Sequence, residues 1–150
     1  MIVIYGHDER HWFIAQLPDD RPNSTVVEAM EALKPDVVLH EQRQKGVKLK
    51  RNRRKNGLCS SGEWFFLPRP KMRAGDSAER NGKLSRKGGK PHRVEWILKT
   101  QGVVRHSCGA VSHPDHETIY LPVWHRVVQN NEPQPAVSQK RISTSLLFID

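Results

Sequence analysis

The 150 residues predict an α+β domain: a small mixed or antiparallel sheet, one main helix near residues 25–34, and long basic loops. Three observations carry this. Short apolar or aromatic runs recur at Ile2–Tyr5, Trp12–Leu17 and Gly62–Pro68 and through residues 92–128, the pattern of strands. One stretch alone combines helical apolar spacing with a capping signal. Between these, segments rich in Lys, Gly, Pro and Ser lack any period and read as loops.

Ile2–Tyr5 (IVIY) is short and apolar, and Gly6–Arg10 is a polar connection to a second strand at Trp12–Leu17, which Pro18-Asp19-Asp20 ends. Thr25 and Glu28 have capping-box spacing, in which each side chain satisfies a free N–H at the helix start. Val26, Ala29, Met30 and Leu33 then fall on one helical face, and Pro35 stops the helix at Lys34. Val37–Leu39 reads as a short strand or a packed extension of that helix. Gly62–Pro68 (GEWFFLP) predicts a buried strand, whereas residues 69–91 predict an exposed loop. In His92–Thr100 the alternation of Val94, Trp96 and Leu98 favours a strand over a helix, with Ile97 the exception. Val103–His106, Ala110-Val111, Thr118–Leu121 and Val123–Val128 favour strands, with a turn at His113–His116. Pro122 marks an edge or a bulge, since it cannot donate to a ladder. The reading is a single domain over residues 1–128 with flexible basic insertions near 42–57 and 69–91. A polar tail follows at 129–150, whose Leu146–Ile149 is suited to a terminal strand.

The formal charge is +9, and it is concentrated. Residues 1–41 net −5, residues 42–99 net +14, and residues 100–150 net zero. The densest run, Arg43–Lys55 (RQKGVKLKRNRRK), holds eight Lys/Arg and no acid. Mean hydropathy is −0.69, and no run of about 18 apolar residues exists, which excludes a spanning helix. No charged-then-apolar leader opens the chain and only Cys59 and Cys108 are present. Both observations predict a cytoplasmic protein with free thiols rather than a secreted disulfide scaffold.

The segments Gly62–Phe66 (GEWFF), Lys90–His92 (KPH), His113–His116 (HPDH) and Trp124–Val127 (WHRV), in that order, resemble those of an uncharacterised family of small bacterial proteins. The resemblance is scattered over residues 11–127. It implies a bacterial, phage or mobile-element origin and brings no activity, fold or catalytic residue with it. The basic run lies outside it.

Clustered Lys/Arg displace the counterions condensed on a phosphate backbone, so the basic centre predicts nucleic-acid binding, RNA or DNA, mainly through phosphates. The residues expected to make those contacts are Arg43, Lys45, Lys48, Lys50, Arg51, Arg53, Arg54, Lys55, Arg86, Lys87 and Lys90. Trp64, Phe66 and Trp96 lie near basic residues and would stack on bases if exposed, although GEWFFLP fits a core strand better. A phage or mobile-element protein that binds an acidic host protein would use the same charges. Without an amphipathic helix, a membrane partner is not expected.

The second feature is a run of metal-ligand types: His106, Cys108, His113 and His116, with Asp115 between. Zinc takes about four N/S ligands, and a hairpin can converge several, so this set is the candidate for zinc or another divalent metal. A His/Pro/Asp turn also serves local hydrogen bonding, so no cofactor is required by the pattern. A third arrangement would place His11, Trp12, His92, Asp115, His116, Trp124 and His125 along one cleft. There His113, Asp115, His116 and His125 would be acid–base candidates for a metal-dependent nuclease or phosphodiesterase. No GxSxG, phosphate-binding Gly loop or nuclease finger spacing accompanies them, and the sequence leans toward binding over catalysis.

Overall fold

The computed structural model describes residues 1–7, 12–46 and 59–133, except the side chain of Cys59. The elements in order are β1 (Ile2–His7), β2 (Trp12–Leu17), α1 (Val26–Ala32), α2 (Asp36–Gln44), β3 (Cys59–Ser61), β4 (Trp64–Pro68), a 3₁₀ turn (Gly75–Ser77), β5 (Glu79–Leu84), β6 (His92–Thr100), β7 (Val103–His113) and β8 (His116–Gln129). Two antiparallel sheets result: β1–β2, and a six-stranded sheet in the order β3-β4-β8-β7-β6-β5.

This corrects the expected α+β class. Strands take 51% of the described residues and helices 16%, so the fold is mostly sheet with two short helices. The sheet is antiparallel rather than mixed, and residues 69–91 are not simply loop, because β5 lies within them. The strand was hidden because β5 reads ERNGKL, and of its inward positions one is Gly82. A Cβ there would sit 2.4 Å from Ile97, so the neighbouring strand's side chain fills the space that an apolar residue would otherwise announce. The second helix was also missed. α1 stops at Ala32, two residues short of the expected Lys34, and the extended backbone of Pro35 (φ −60°, ψ 153°) leads into α2 over Asp36–Gln44, where a short strand or an extension was expected.

The capping box at α1 forms as read: Thr25 Oγ accepts from the Glu28 N–H, and the Glu28 carboxylate accepts from the Thr25 N–H. Hairpin β1–β2 packs Leu17, Ile4 and Ala15 against Ala29 of α1 and Leu33, its C-cap. β4 is buried on both faces. Trp64 and Phe66 point into the main core with Leu84, Val94, Ile97, Val111, Leu121 and Val127, while Phe65 and Leu67 face Val38 of α2. That core joins β4 to β5 although they are four strands apart in the sheet order, so the sheet curls around its own inner face. Full burial of each such side chain contributes about 1.5–3 kcal/mol.

Two irregularities set which side chains face inward. The β6–β7 register shifts between Val94 and Trp96, so Val94 and Ile97 are both buried and the expected Val94/Trp96/Leu98 alternation breaks. Gly109 (φ +83°) makes this bulge: a Cβ would meet Glu95 Oε2 at 2.3 Å, and that oxygen accepts from the Ala110 N–H at 3.1 Å. Pro122 lies within the register shift between Ser107 and Gly109 on β7, the bulge that its missing donor predicted. Among the described residues no helix is long and apolar enough to cross a membrane.

Candidate functional site

The inner face of the sheet carries a row of three histidines at one end. His92 opens β6 in phase with the buried Val94. His113 ends β7 two residues after the buried Val111, and His116 opens β8 directly opposite it across the Pro114-Asp115 turn. The β6–β7 register, read one step past the Arg93–Ser112 pair, brings His92 beside His113. The rings stack with small interplanar angles. Centroids are 4.2 Å apart for His92–His113, 4.6 Å for His113–His116 and 5.8 Å for His92–His116. One ring nitrogen from each lies within 4.8 Å of the others. Neutral imidazole nitrogen is a ligand for zinc and its transition-metal neighbours, so this is the group able to hold such a metal.

Gly62 closes over the row from the β3–β4 turn. Its φ is +53°, a region glycine enters without strain. A Cβ there would come within 2.8 Å of His116 Nε2 and 3.5 Å of His92 Cε1. The β5–β6 turn arrives at the same end, with the Gly89 position 3.5 Å from Glu63 Oε1.

The three imidazoles differ in their surroundings. His92 is fully buried, and neither of its nitrogens has a hydrogen-bond partner. Burial, then the neighbouring His113 and His116, push its pKa down to about 3. His113 is held on both sides: Nδ1 accepts from the Asp115 N–H at 3.1 Å, which puts the proton on Nε2, and Nε2–H donates to the Lys90 carbonyl at 3.2 Å. Lys90 Nζ in turn reaches both Asp115 carboxylate oxygens at 2.9 Å.

Of the expected acid–base group, His113, Asp115 and His116 meet at this tip, but His125 does not join them. His125 lies along β8 between Pro68 and Ser107, buried, with Nδ1–H donating to the Val123 carbonyl at 2.6 Å. Burial holds its pKa down, Lys45 and Arg69 add to that, and the Val123 carbonyl opposes it. The expected metal set divides as well. The structure groups His113 and His116 with His92 rather than with His106 and Cys108. Burial alternates along β7, with Ser107, Gly109 and Val111 inward, so His106 and Cys108 belong to the other face. His106 sits near Arg69 and Arg126, which with burial, the larger effect, lower its pKa. Cys108 Sγ–H donates to the Leu121 carbonyl at 3.6 Å, and burial pushes the thiol pKa up. His92 had appeared in the sequence only as a cleft residue, and Gly62 had no assigned role. The KPH and GEWFF segments were the signals that contained them.

The basic residues divide similarly. Lys48, Lys50, Arg51, Arg53, Arg54 and Lys55 lie outside the described residues. Arg43, in the last turn of α2, and Lys45, which caps it, are exposed. Arg86 turns inward to a half-buried pair with Glu132, and Lys90 is paired with Asp115. Lys87 is exposed, and on the outer face of β5–β6 the exposed Lys83 and Arg93 stand directly opposite one another. Trp64 and Phe66 are core residues and present no stacking surface. Trp96 is covered by the Arg80 guanidinium, 4.7 Å from the ring centroid. His11 of the expected cleft lies outside the described residues, and Trp12 stands exposed on the β1–β2 ribbon, edge-on to His7.

No family model, curated protein or solved structure matches this chain. The resemblance therefore rests on its four segments. Three of them meet physically, since Gly62, Lys90, His92, His113, Asp115 and His116 come from GEWFF, KPH and HPDH.

Proposed function

We propose that the protein binds nucleic acid through phosphate contacts from its basic centre. The supporting observation is the concentration of charge: residues 42–99 net +14 in a chain of net +9. Of the four acids in that region, Glu79 pairs with Lys99 and Glu95 with Arg80. Arg43, Lys45, Lys71, Arg73, Lys83, Lys87 and Arg93 remain exposed. Like charges directly opposite on a sheet, as at Lys83–Arg93, cost stability, and a phosphate between them offsets that cost. The test is a salt titration of binding to RNA, single-stranded DNA and duplex DNA, repeated with Arg51, Arg53, Arg54 and Lys55 all changed to Ala. Affinity should fall steeply with salt, and the variant's log–log slope should be shallower by about 3, since each phosphate contact contributes about 0.7–0.9. Binding unchanged by the quadruple substitution refutes the proposal.

The histidine row favours a second reading, hydrolysis of the bound phosphodiester. A metal held by histidines supplies both charge stabilisation and an activated water. Cleavage of nucleic acid in added Zn²⁺, Mn²⁺ or Mg²⁺, lost in His116→Ala, is its expected result. Absence of cleavage with all three metals counts against it and leaves binding intact.

A further inference from the structure

We infer that His92, His113 and His116 form a binding site for one divalent transition metal of the zinc class, with His113 ligating through Nδ1. The inference is independent of nucleic-acid binding.

The donor set points to such a metal. Three imidazoles on adjacent strands present nitrogens within 4.8 Å of one another. Ligand bonds of about 2.0–2.1 Å at tetrahedral angles need nitrogens roughly 3.3 Å apart. In the stack the in-plane lone pairs run nearly side by side, so coordination turns the imidazoles until their donor nitrogens point at one centre. An all-nitrogen set fits zinc, cobalt, nickel or copper and does not fit calcium or magnesium, which take oxygen.

His92 carries unmet hydrogen-bonding chemistry. A buried polar group is normally paired, yet both of its nitrogens are without a partner in a fully buried side chain. It stacks on His113 at 4.2 Å, with one nitrogen within 4.8 Å of a nitrogen on each of the other two rings. A metal occupies that lone pair.

The hydrogen bonds of His113 fix its ligating atom. Metal-bound histidine commonly donates its other N–H to a backbone carbonyl, which sets the tautomer and the ring orientation. Nε2–H of His113 already makes that bond, to Lys90. Nδ1 carries the lone pair and meets only the Asp115 N–H. Metal entry therefore exchanges one local turn hydrogen bond for a ligand bond and leaves the Lys90 support in place. Three protein ligands leave a fourth position for water or a substrate atom, as in catalytic rather than structural zinc sites.

The experiment is calorimetric titration of the EDTA-stripped full chain with Zn²⁺ at neutral pH, with circular dichroism of every variant. One Zn²⁺ per chain is expected. His92→Leu and His116→Ala should each weaken binding by about 100-fold or more, while His106→Ala and Cys108→Ser leave it unchanged. Wild-type protein should also melt at a higher temperature with Zn²⁺ than with EDTA, a readout that needs no variant to fold. No zinc binding by the wild type overturns the site. Equal weakening by His106→Ala or Cys108→Ser overturns the ligand assignment.

Discussion

His92→Leu should make the metal-free protein more stable. The wild-type ring buries two nitrogens without partners, and an unsatisfied buried polar group costs about 1–3 kcal/mol. Leucine is near histidine in volume and carries no polar atom. Against this, the variant loses the stack on His113 at 4.2 Å, worth about 0.5–1.5 kcal/mol by analogy with aromatic pairs. At the midpoints of these ranges the balance is a gain of about 1 kcal/mol in EDTA, or a few degrees in Tm. Urea unfolding followed by tryptophan fluorescence measures it. Excess Zn²⁺ should reverse the order, because a ligand that binds the native state alone stabilises only the protein that retains the site. A variant less stable than wild type in EDTA would refute the reasoning. It would mean that His92 is held by interactions its geometry does not display, and that its burial is ordinary packing.

Two further outcomes follow from the same cluster. Folding depresses the His92 pKa from 6.5 to about 3, so below pH 6.5 the unfolded chain takes up a proton that the native state refuses. Stability is therefore full above pH 6.5 and falls as pH drops toward 3, by about 1.4 kcal/mol per unit from this group. His106 and His125, also lowered, act in the same direction. In EDTA the Tm of His92→Leu should decline less than that of wild type between pH 7 and pH 4.5, and equal declines would contradict a neutral His92. Gly62→Ala and Gly102→Ala both force alanine into positive φ, at +53° and +73°, costing roughly 1–2 kcal/mol each. Only the first drives a methyl into His116, so only Gly62→Ala should also weaken Zn²⁺ binding, by about 10-fold or more; calorimetry of the two variants separates strain from site disruption.

The strands with conventional patterns were legible in the sequence: β1, β2, β4 and most of residues 92–128. So was the α1 cap, because Thr25 and Glu28 act on their own turn. Apart from α2, what escaped was non-local. β5 reads as loop because Gly82 faces inward and Ile97 supplies the missing bulk from the next strand. The site escaped in part for the same reason. His113 and His116 are three residues apart and announce a turn, but His92 reaches them only because β6 pairs with β7 in a particular register. His106 and Cys108 looked like partners by proximity in sequence, and the two-residue alternation of β7 sends them to the other face. Arg86 looked like a phosphate contact, whereas Glu132, 46 residues on, draws it inward.

β4 places apolar side chains on both faces, and this removes the usual penalty for misalignment. In a strand with one wet face, a slip of one residue exposes the core set to water. In β4 the same slip would exchange Trp64 and Phe66 with Phe65 and Leu67, apolar for apolar, between the sheet core and the α2 contact. Hydrophobicity alone does not choose between the two alignments. Backbone bonds at both ends do: the Arg69 N–H donates to Trp124 at 2.7 Å and the Asn130 N–H to Glu63 at 2.8 Å. The left-handed turn at Gly62 fixes where the strand begins. The glycine that packs on the histidines thus also times the entry of the chain into its most buried strand, and a change there would be felt in two places at once.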